Sequence, residues 1–251
     1  MSGKYIQIAI DGPGGAGKSS LAKGLAAELG KTMPFVYVDT GALYRAVGLY
    51  VLRRGRDTSS HEAVAGCLDD INITMEHKDG RQAVILNGED VTGLIRTPEV
   101  SMAASDVSAV PQVRQFLLSC QRSIADTVSV VMDGRDIGTV ILPEADVKIF
   151  LTAGVAERAK RRWLELREKG SAKTLEEVRA ELELRDKNDS SRAAAPLKPA
   201  PYSILYDNTV HDLAECVAWA SGIVREKCSD KIALLEAAVP SSEAHQAKEK
   251  I

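Results

Sequence analysis

The chain has 251 residues, and 32 lysine and arginine residues against 35 aspartate and glutamate residues give a formal net charge of −3. This balance gives no support for a polybasic surface that binds nucleic acid or membrane, and no apolar run approaches the ~20 residues of a membrane-spanning helix. The four cysteines form no CxxC pair, so no zinc site is expected, and we interpret them as buried, reduced thiols of a cytoplasmic protein.

Strands alternate with helices along much of the chain. Residues 4–10 predict a buried strand that stops at a glycine-rich turn. In the helix that follows, Leu21, Leu25 and Leu29 lie on one stripe, and Gly30 marks its end. Further strands are predicted at 35–39, 129–133 and 147–151, and a further helix at 42–54. This order indicates an α/β fold with a parallel sheet and helices on both faces.

Residues 71–92 depart from this alternation. Asp79-Gly80 and Asn87-Gly88 separate short runs of alternating polarity, and both dipeptides are typical of hairpin turns. The segment therefore predicts a small three-stranded antiparallel insert that projects from the α/β core.

Two highly charged helices are predicted at 155–169 and 174–189, joined around Gly170. Thr174 and Glu177 have the spacing of a capping box for the second helix. Because these helices have few apolar positions, we expect them to stand over an opening rather than in the core. The chain then ends in a polar tail, assigned to residues 231–251.

The strongest chemical signal is GPGGAGKS, which matches GxxxxGK[ST] and lies between a predicted strand and a predicted helix. In such a P-loop the backbone N–H groups surround phosphate oxygens, and the helix N-terminus adds partial positive charge. Lys18 is expected to reach the β- and γ-phosphates, and Ser19 to hold Mg²⁺. The expected ATP-binding residues are Gly12, Pro13, Gly14, Gly15, Ala16, Gly17, Lys18, Ser19 and Ser20. No guanine-selecting NKxD follows, which disfavours a GTPase.

Two further motifs follow predicted strands, where doubly wound folds bind ligands. In DTGALYR (39–45), Arg45 would lie in the helix after the second strand. In DGRDIG (133–138), Asp133 could hold Mg²⁺ through water, Arg135 could clamp a phosphate and Asp136 could read a base. An N-capping pair with a solvated arginine, and an ordinary strand-to-helix turn, are the structural alternatives.

A last group of charged residues lies in the two predicted charged helices. Arg185, Asp189 and Arg192 of RDKNDSSR share one face if the helix continues. The upstream helix offers three arginines at 158, 161 and 162, but its sequence is equally typical of a salt-bridged surface.

Five motifs, GPGGAGKS, DTGALYR, IRTPEVSMAAS, DGRDIGT and RDKNDSSRAAAPL, occur in this order, and the set resembles the bacterial cytidylate kinases over residues 5–228. The resemblance implies a nucleoside-monophosphate kinase fold: one kinase domain (1–230) with a monophosphate-binding region (about 40–115, including the insert) and a lid (about 155–190). It implies that a monomer transfers the γ-phosphoryl group of ATP to CMP and dCMP, with Mg²⁺ as cofactor.

The resemblance also implies residue roles. At the phosphate of CMP it places Thr40, Arg45, Arg135 and Arg192. Around the cytosine it places Ser105, Arg114 and Asp136, and at the ribose Arg185 and Asp189. The positive charges expected to act in catalysis are those of Lys18, Arg135, Arg162 and Arg192, with Arg162 closing over the ATP phosphates from the lid.

The chemistry of the base supports this assignment. Cytosine carries an exocyclic amine where uracil carries a carbonyl, and the carboxylate of Asp136 can accept a hydrogen bond from that amine. Facing uracil, acceptor would meet acceptor, at a cost of ~1–3 kcal/mol. The sequence therefore predicts a preference for CMP over UMP.

Three alternatives remain open from the residues. The chain could phosphorylate another small acceptor, such as UMP or a non-nucleotide metabolite. It could be a P-loop switch that uses ATP only for conformational change, although the second set of arginines argues against a protein with one nucleotide. Nucleic-acid binding through 158–162 would require a steep salt dependence, and the net charge disfavours it.

Overall fold

The computed structural model describes residues 4–78, 81–168 and 170–238. These residues contain eight strands and nine α-helices. The strands are β1 (Gln7–Asp11), β2 (Phe35–Asp39), β3 (Ile73–Lys78), β4 (Arg81–Leu86), β5 (Glu89–Asp90), β6 (Ser129–Gly134), β7 (Val147–Thr152) and β8 (Ile204–Asp207). The helices are α1 (Lys18–Leu29), α2 (Gly41–Arg53), α3 (His61–Ala65), α4 (Pro98–Val107), α5 (Pro111–Ala125), α6 (Val155–Glu168), α7 (Leu175–Ser191), α8 (Leu213–Lys227) and α9 (Ser229–Ala238). No helix among them is long and apolar enough to cross a membrane.

The larger sheet is parallel, with strand order β2-β6-β1-β7-β8. Its alternation with helices confirms the predicted α/β class. In the register of the central strands, Asp39 lies beside Asp133, and Asp11 lies beside Gly134. The three sequence motifs that follow β1, β2 and β6 therefore meet at one edge of the sheet.

Apolar side chains cover both faces of this sheet. On one face Ile8 and Ile10 pack with Leu21 and Leu25 of α1, and α8 completes that layer. On the other face Met132 and its neighbours pack against α5 and the turn after β6. Each fully buried aliphatic side chain contributes about 2 kcal/mol, so the strand ends that carry the polar motifs are rigidly supported.

The predicted insert is confirmed as a three-stranded antiparallel sheet, β3-β4-β5. Asn87 and Gly88 join β4 to β5, and both have positive φ (50° and 84°), as a two-residue hairpin turn requires. The predicted turn at Asp79-Gly80 lies outside the described residues. The insert packs with α2, α4 and α5 around an apolar core of its own.

The two charged helices form as predicted, with α7 continuing two residues beyond its expected end at 189. The capping box is present: the Thr174 side chain accepts from the Glu177 N–H, and the Glu177 carboxylate accepts from the Thr174 N–H. Leu166 and Val178 belong to a small apolar cluster that joins α6 to α7, so the pair has a separate core.

The last described helix, α9, includes the first residues of the predicted polar tail. Ile232 is buried against α8, and Lys231 pairs with Asp146 at 2.7 Å. The remaining tail residues, 239–251, lie outside the described part of the chain.

Candidate active site

The P-loop connects β1 to α1, as its sequence predicts. Gly12 has φ +148°, and a Cβ there would lie 1.9 Å from the carbonyl oxygen of Leu151. Gly17, with φ +86°, is the residue before the first turn of α1. Only glycine fits both conformations without strain, and the result is a backbone loop that leads into the N-terminus of a helix, a site suited to phosphate.

Lys18 and Ser19 form hydrogen bonds to polar groups of the P-loop and of β6. The buried Lys18 Nζ donates to the carbonyl oxygen of Pro13 at 2.7 Å, and Ser19 Oγ donates to Asp133 Oδ2 at 2.9 Å. Burial and the charge of Arg135 lower the pKa of Lys18. Burial also raises the pKa of Asp133, because it disfavours the charged form.

Asp133 anchors a second pair of side chains at the end of β2. The hydroxyl of Tyr37 donates to its Oδ1 at 2.8 Å, and Thr40 Oγ1 donates to its backbone carbonyl oxygen at 2.8 Å. Burial and the neighbouring carboxylate raise the pKa of Tyr37, so the phenol stays protonated. Thr40 is thereby fixed between β2 and β6, one residue from the start of α2.

Arg45 is held by Asp39 across the first turns of α2. Its Nη2 donates to Asp39 Oδ2 at 2.7 Å, and Arg96 reaches the same oxygen at 3.3 Å. The side chain of Gln82 in β4 accepts from the Asp39 N–H at 2.8 Å and donates to its carbonyl oxygen at 3.2 Å. Asp39 thus links the large sheet, the insert and two arginines. One of these, Arg96, lies in the IRTPEVSMAAS motif but carried no predicted role.

The residues assigned to cytosine come together. Arg114 Nη1 donates to Asp136 Oδ2 at 2.6 Å, and Arg114 Nε donates to the Ser108 carbonyl oxygen at 2.7 Å. The Asp136 side chain is buried, at 5% exposure, and that of Arg114 is 11% exposed. Ser105 joins this group through Ser108, whose hydroxyl donates to the Ser105 carbonyl oxygen at 2.8 Å.

Three residues of α7 and its C-terminal end face the end of β6. Arg135 Nε donates to Asp189 Oδ2 at 2.9 Å, and Arg192 lies 3.6 Å from the other oxygen. Burial would raise the pKa of Asp189, but the guanidinium groups of Arg135 and Arg185 outweigh it and hold the pKa below its ordinary value. Asp189 therefore stays ionised amid the arginines.

Arg185 lies in a concentration of positive charge. Burial, followed by the charge of Arg135, lowers its pKa to about 10, and Arg45 and Arg162 act in the same direction. Within the described residues, three buried guanidinium nitrogens find no acceptor: Nε of Arg45, Nε of Arg185 and Nη2 of Arg192. Buried donors without acceptors cost free energy, and a bound anion would supply acceptors to this cluster.

The arginines of the charged helix α6 make different contacts. Arg158 is buried and donates from Nη1 to the Gly14 carbonyl oxygen at 2.9 Å, while its Nη2 pairs with Asp186 of α7 at 2.8 Å. Arg162, the predicted lid arginine, pairs with Glu165 at 3.0 Å and is partly exposed. Arg158 carried no predicted role, and its contact with the P-loop appears only in the structure.

Arg161 of α6 contacts the loop after β8, which had no predicted role. Its two terminal nitrogens donate to Asn208 Oδ1 at 3.1 Å and to the Asn208 carbonyl oxygen at 2.9 Å. Asn208 Nδ2 in turn donates to the carbonyl oxygen of Ala16 in the P-loop at 2.9 Å. The P-loop is thus bonded to both α6 and the end of β8.

Fold and site define a P-loop protein of the nucleoside-monophosphate kinase type: a parallel α/β core, a small antiparallel insert and a helical lid around one polar edge. A profile of the cytidylate kinase family matches residues 8–226. The chain belongs to the cytidylate kinase family.

Curated relatives agree with this assignment. A protein named cytidylate kinase from Desulfitobacterium hafniense is 50% identical over 214 residues, covering 85% of this chain and 90% of the relative. One of the same name from Solibacter usitatus is 45% identical over 229 residues, covering 90% and 95%. Among solved structures, TT1252 from Thermus thermophilus has a TM-score of 0.40 and 19% identity, covering 88% of this chain and 97% of that one; a likeness this weak carries no argument.

Proposed function

We propose that this cytidylate kinase transfers the γ-phosphoryl group of ATP to CMP and dCMP by direct in-line displacement, giving ADP with CDP or dCDP. The observation that carries the proposal is the second anion site beside the P-loop. Arg45, Arg185 and Arg192 each place a buried nitrogen without an acceptor at the edge where Arg135 also lies. A protein that binds one nucleotide needs no such site, whereas transfer between two phosphates needs both.

The phosphate of CMP would lie among Thr40, Arg45, Arg135 and Arg192. These side chains are already held by neighbouring groups, for example Arg45 by Asp39 and Arg135 by Asp189. Guanidinium groups held in place stabilise developing charge on phosphoryl oxygens without rearranging during the reaction. The acceptor phosphate is ionised at neutral pH, so no general base is assigned.

The cytosine would lie against Asp136 and Arg114. Asp136 would accept from the exocyclic amine, while Arg114 orients the carboxylate through the 2.6 Å bond. Ser105 is assigned a further contact to the base. Arg185 and Asp189 would contact the ribose, which leaves dCMP as an acceptable substrate.

On the donor side, Lys18 and the P-loop amides would hold the β- and γ-phosphates of ATP. Arg162 would approach the same phosphates when the lid, about residues 155–190, closes over the core. Closure excludes water that would otherwise hydrolyse ATP. The charged lid helices have their own small apolar cluster, which lets them move as a unit.

The residues present fit Mg²⁺, because the hydroxyl of Ser19 and the carboxylate of Asp133 are oxygen ligands of the kind it prefers, 2.9 Å apart beside the P-loop. The described residues hold no cluster of three or more His, Cys, Asp or Glu side chains suited to a metal, so nucleotide phosphates and water would complete the coordination. Ser19 would bind directly and Asp133 through water. Bound there, Mg²⁺ neutralises phosphate charge.

The domain organisation follows from the same assignment. We assign residues 1–230 to the kinase domain, with its monophosphate-binding region at about 40–115, and treat 231–251 as an appended tail. We assign the enzyme to the cytoplasm and propose that it acts as a monomer, as the resemblance to the bacterial cytidylate kinases implies.

The experiment that tests the proposal is ADP production from ATP and Mg²⁺ with CMP, dCMP, UMP, AMP or GMP supplied separately. Turnover with CMP and dCMP well above UMP is the expected result. Equal turnover with UMP would favour a kinase with broader acceptor choice. Absence of stimulation by any monophosphate would overturn the acceptor assignment.

A further inference from the structure

One buried carboxylate beside the site has no part in the proposed reaction. Asp11, the last residue of β1, is 3% exposed, and its two oxygens accept from the backbone N–H groups of Ile137 and Gly138 at 2.8 Å each. Burying a carboxylate is costly unless it is well bonded. Here both bonds go to a single backbone segment, which begins directly after Asp136.

That segment, Ile137–Ile141, is a π-helical turn. The Ile141 N–H donates to the Asp136 carbonyl oxygen at 3.2 Å, and the Leu142 N–H donates to that of Ile137 at 2.7 Å. Turns of this kind are rare and occur frequently at functional sites. Asp11 thus bonds the first two amides of an uncommon turn whose geometry determines where the Asp136 side chain points.

The other end of the turn is held from α5. Arg122 Nε donates to the carbonyl oxygen of Ile141 at 2.9 Å, and its Nη2 donates to that of Val140 at 2.8 Å. Two turns earlier on the same helix, Arg114 bonds the Asp136 carboxylate. One helix therefore contacts both Asp136 and the far end of the turn that follows it.

Close packing leaves the turn little freedom. A Cβ at Gly138 would lie 3.4 Å from Asp11 Oδ2 and 3.2 Å from Cβ of Ala200. On the other side of Asp136, a Cβ at Gly134 would lie 2.7 Å from Cδ1 of Ile137. The backbone that carries Asp136 is confined on both sides.

We propose that Asp11 and Arg122 are positioning residues for base selection: they fix the two ends of the turn so that the Asp136 carboxylate is held where the cytosine amine must be. The inference rests on the proposed function, because it takes Asp136 as the base contact. Displacing a polar group by about 1 Å weakens a hydrogen bond that discriminates between substrates. Loss of either anchor therefore reduces selectivity before it reduces phosphoryl transfer.

The first test is Asp11→Asn, which keeps the size of the side chain but presents one acceptor and one NH₂ group to two N–H donors. The ratio of kcat/KM for CMP to that for UMP should fall by about tenfold. Because Gly12 follows Asp11, a purely structural role in the P-loop would instead raise the KM for ATP with either acceptor and leave the ratio unchanged. That second pattern would overturn the proposal.

Arg122→Gln tests the far end of the turn without touching the P-loop. Because Arg122 is exposed, we expect the variant to fold. It should lower the same ratio in the same direction. The matched control is Asp146→Asn, since Asp146 also accepts from a strand N–H, that of Gln7 at 2.9 Å, and pairs with Lys231 far from the site. The control should change thermal stability but not the ratio.

Combining each change with Asp136→Ala separates this inference from the proposed function. In the Asp136→Ala background neither anchor variant should alter the ratio by more than about twofold, since there is no carboxylate left to position. If Asp136→Ala alone leaves the ratio intact, the base contact is wrong and the inference falls with it. If Asp136→Ala abolishes the preference but Asp11→Asn and Arg122→Gln leave it intact, only the inference is wrong.

Discussion

Arg135 and Asp189 form an ion pair, with Arg135 Nε 2.9 Å from Asp189 Oδ2, that joins the end of β6 to α7. Asp189 is in turn close to Arg192, so the pair belongs to a larger group of charges. A guanidinium group has five N–H donors, and Arg135 uses Nε for Asp189 and Nη1 for the Gly134 carbonyl oxygen at 3.3 Å. The contact therefore orients Arg135 and joins α7 to the edge of the sheet where we propose that CMP binds.

Arg135→Ala should reduce turnover much more than ATP affinity, because we propose that this side chain contacts the acceptor phosphate. We expect kcat with CMP to fall by about 100- to 1000-fold, as for other lost charge-stabilising donors. Steady-state kinetics with both substrates varied, together with ATP binding to the free enzyme, measure the two effects. An unchanged kcat would show that Arg135 has no such role.

Asp186→Ala should destabilise the fold through Arg158. The change leaves a guanidinium group of 7% exposure without its carboxylate partner, at a cost of about 1–3 kcal/mol. Glu183 lies on the same helix and forms an exposed ion pair with Arg179, four residues earlier. Glu183→Ala should therefore lower the free energy of unfolding by less than about 0.5 kcal/mol. Chemical denaturation measures the free energy of unfolding of both variants. Equal losses of that free energy would mean that Arg158 does not link the P-loop to α7.

The stability of the protein should depend on pH through Asp11. Burial raises the pKa of Asp11 to about 6, although its two backbone N–H bonds act in the opposite direction. Of the charged groups that face it, Asp136 also raises the pKa and Lys18 lowers it. Between pH 4 and 6 the folded state therefore holds more protons than the unfolded state, and the contribution of this group to the free energy of unfolding falls as pH rises.

Asp11→Asn removes this titration. The free energy of unfolding of the unsubstituted protein minus that of the variant should fall by about 2–3 kcal/mol from pH 4 to pH 7. Denaturation curves of both proteins at several pH values provide the difference. A difference that stays constant over this range would mean that Asp11 titrates normally.

Gly12→Ala should abolish nucleotide binding. The added methyl group would overlap the backbone of Leu151, and φ at this residue is +148°. We expect ATP affinity to fall by at least about 100-fold, measurable by calorimetry. Gly222→Ala is the matched control. Apart from its chain neighbours and the backbone of its own helix, no atom of the described residues lies within 4 Å of the added Cβ. The free energy of unfolding should rise by about 1 kcal/mol, with ATP binding unchanged.

Local patterns were sufficient to predict how several motifs of the candidate site are brought together. The parallel order of strands placed the motifs after β1, β2 and β6 at one edge, because carboxyl ends of parallel strands lie together. The insert followed from its turn dipeptides, and the capping box at Thr174 from residue spacing alone. Each of these depends on residues that are close in sequence.

The contacts that sequence could not provide join residues far apart in the chain. On α6, Arg161 pairs with Glu157 and Arg162 with Glu165, as a salt-bridged surface predicts, whereas Arg158 on the same helix is buried against the P-loop. Whether one arginine or its neighbour faces the core depends on how α6 docks, which no local spacing encodes.

The same reason applies to Asp11 and Asp39, which look like ordinary strand ends in sequence. Asp11 bonds amides 126 and 127 residues later, and Asp39 bonds Gln82 from 43 residues away. Their partners become visible only when the sheet and the insert are assembled.

The most direct test of the account is the acceptor preference of Asp136→Asn. Arg114 donates to one Asp136 oxygen at 2.6 Å, so the asparagine carbonyl oxygen should turn to Arg114 and its NH₂ group toward the base. That NH₂ group can donate to the uracil carbonyl but cannot accept from the cytosine amine, so the ratio of kcat/KM for CMP to that for UMP should fall by at least about tenfold. Part of that fall should come from faster phosphorylation of UMP. A ratio equal to that of the unsubstituted enzyme would contradict the assignment of Asp136 to the base.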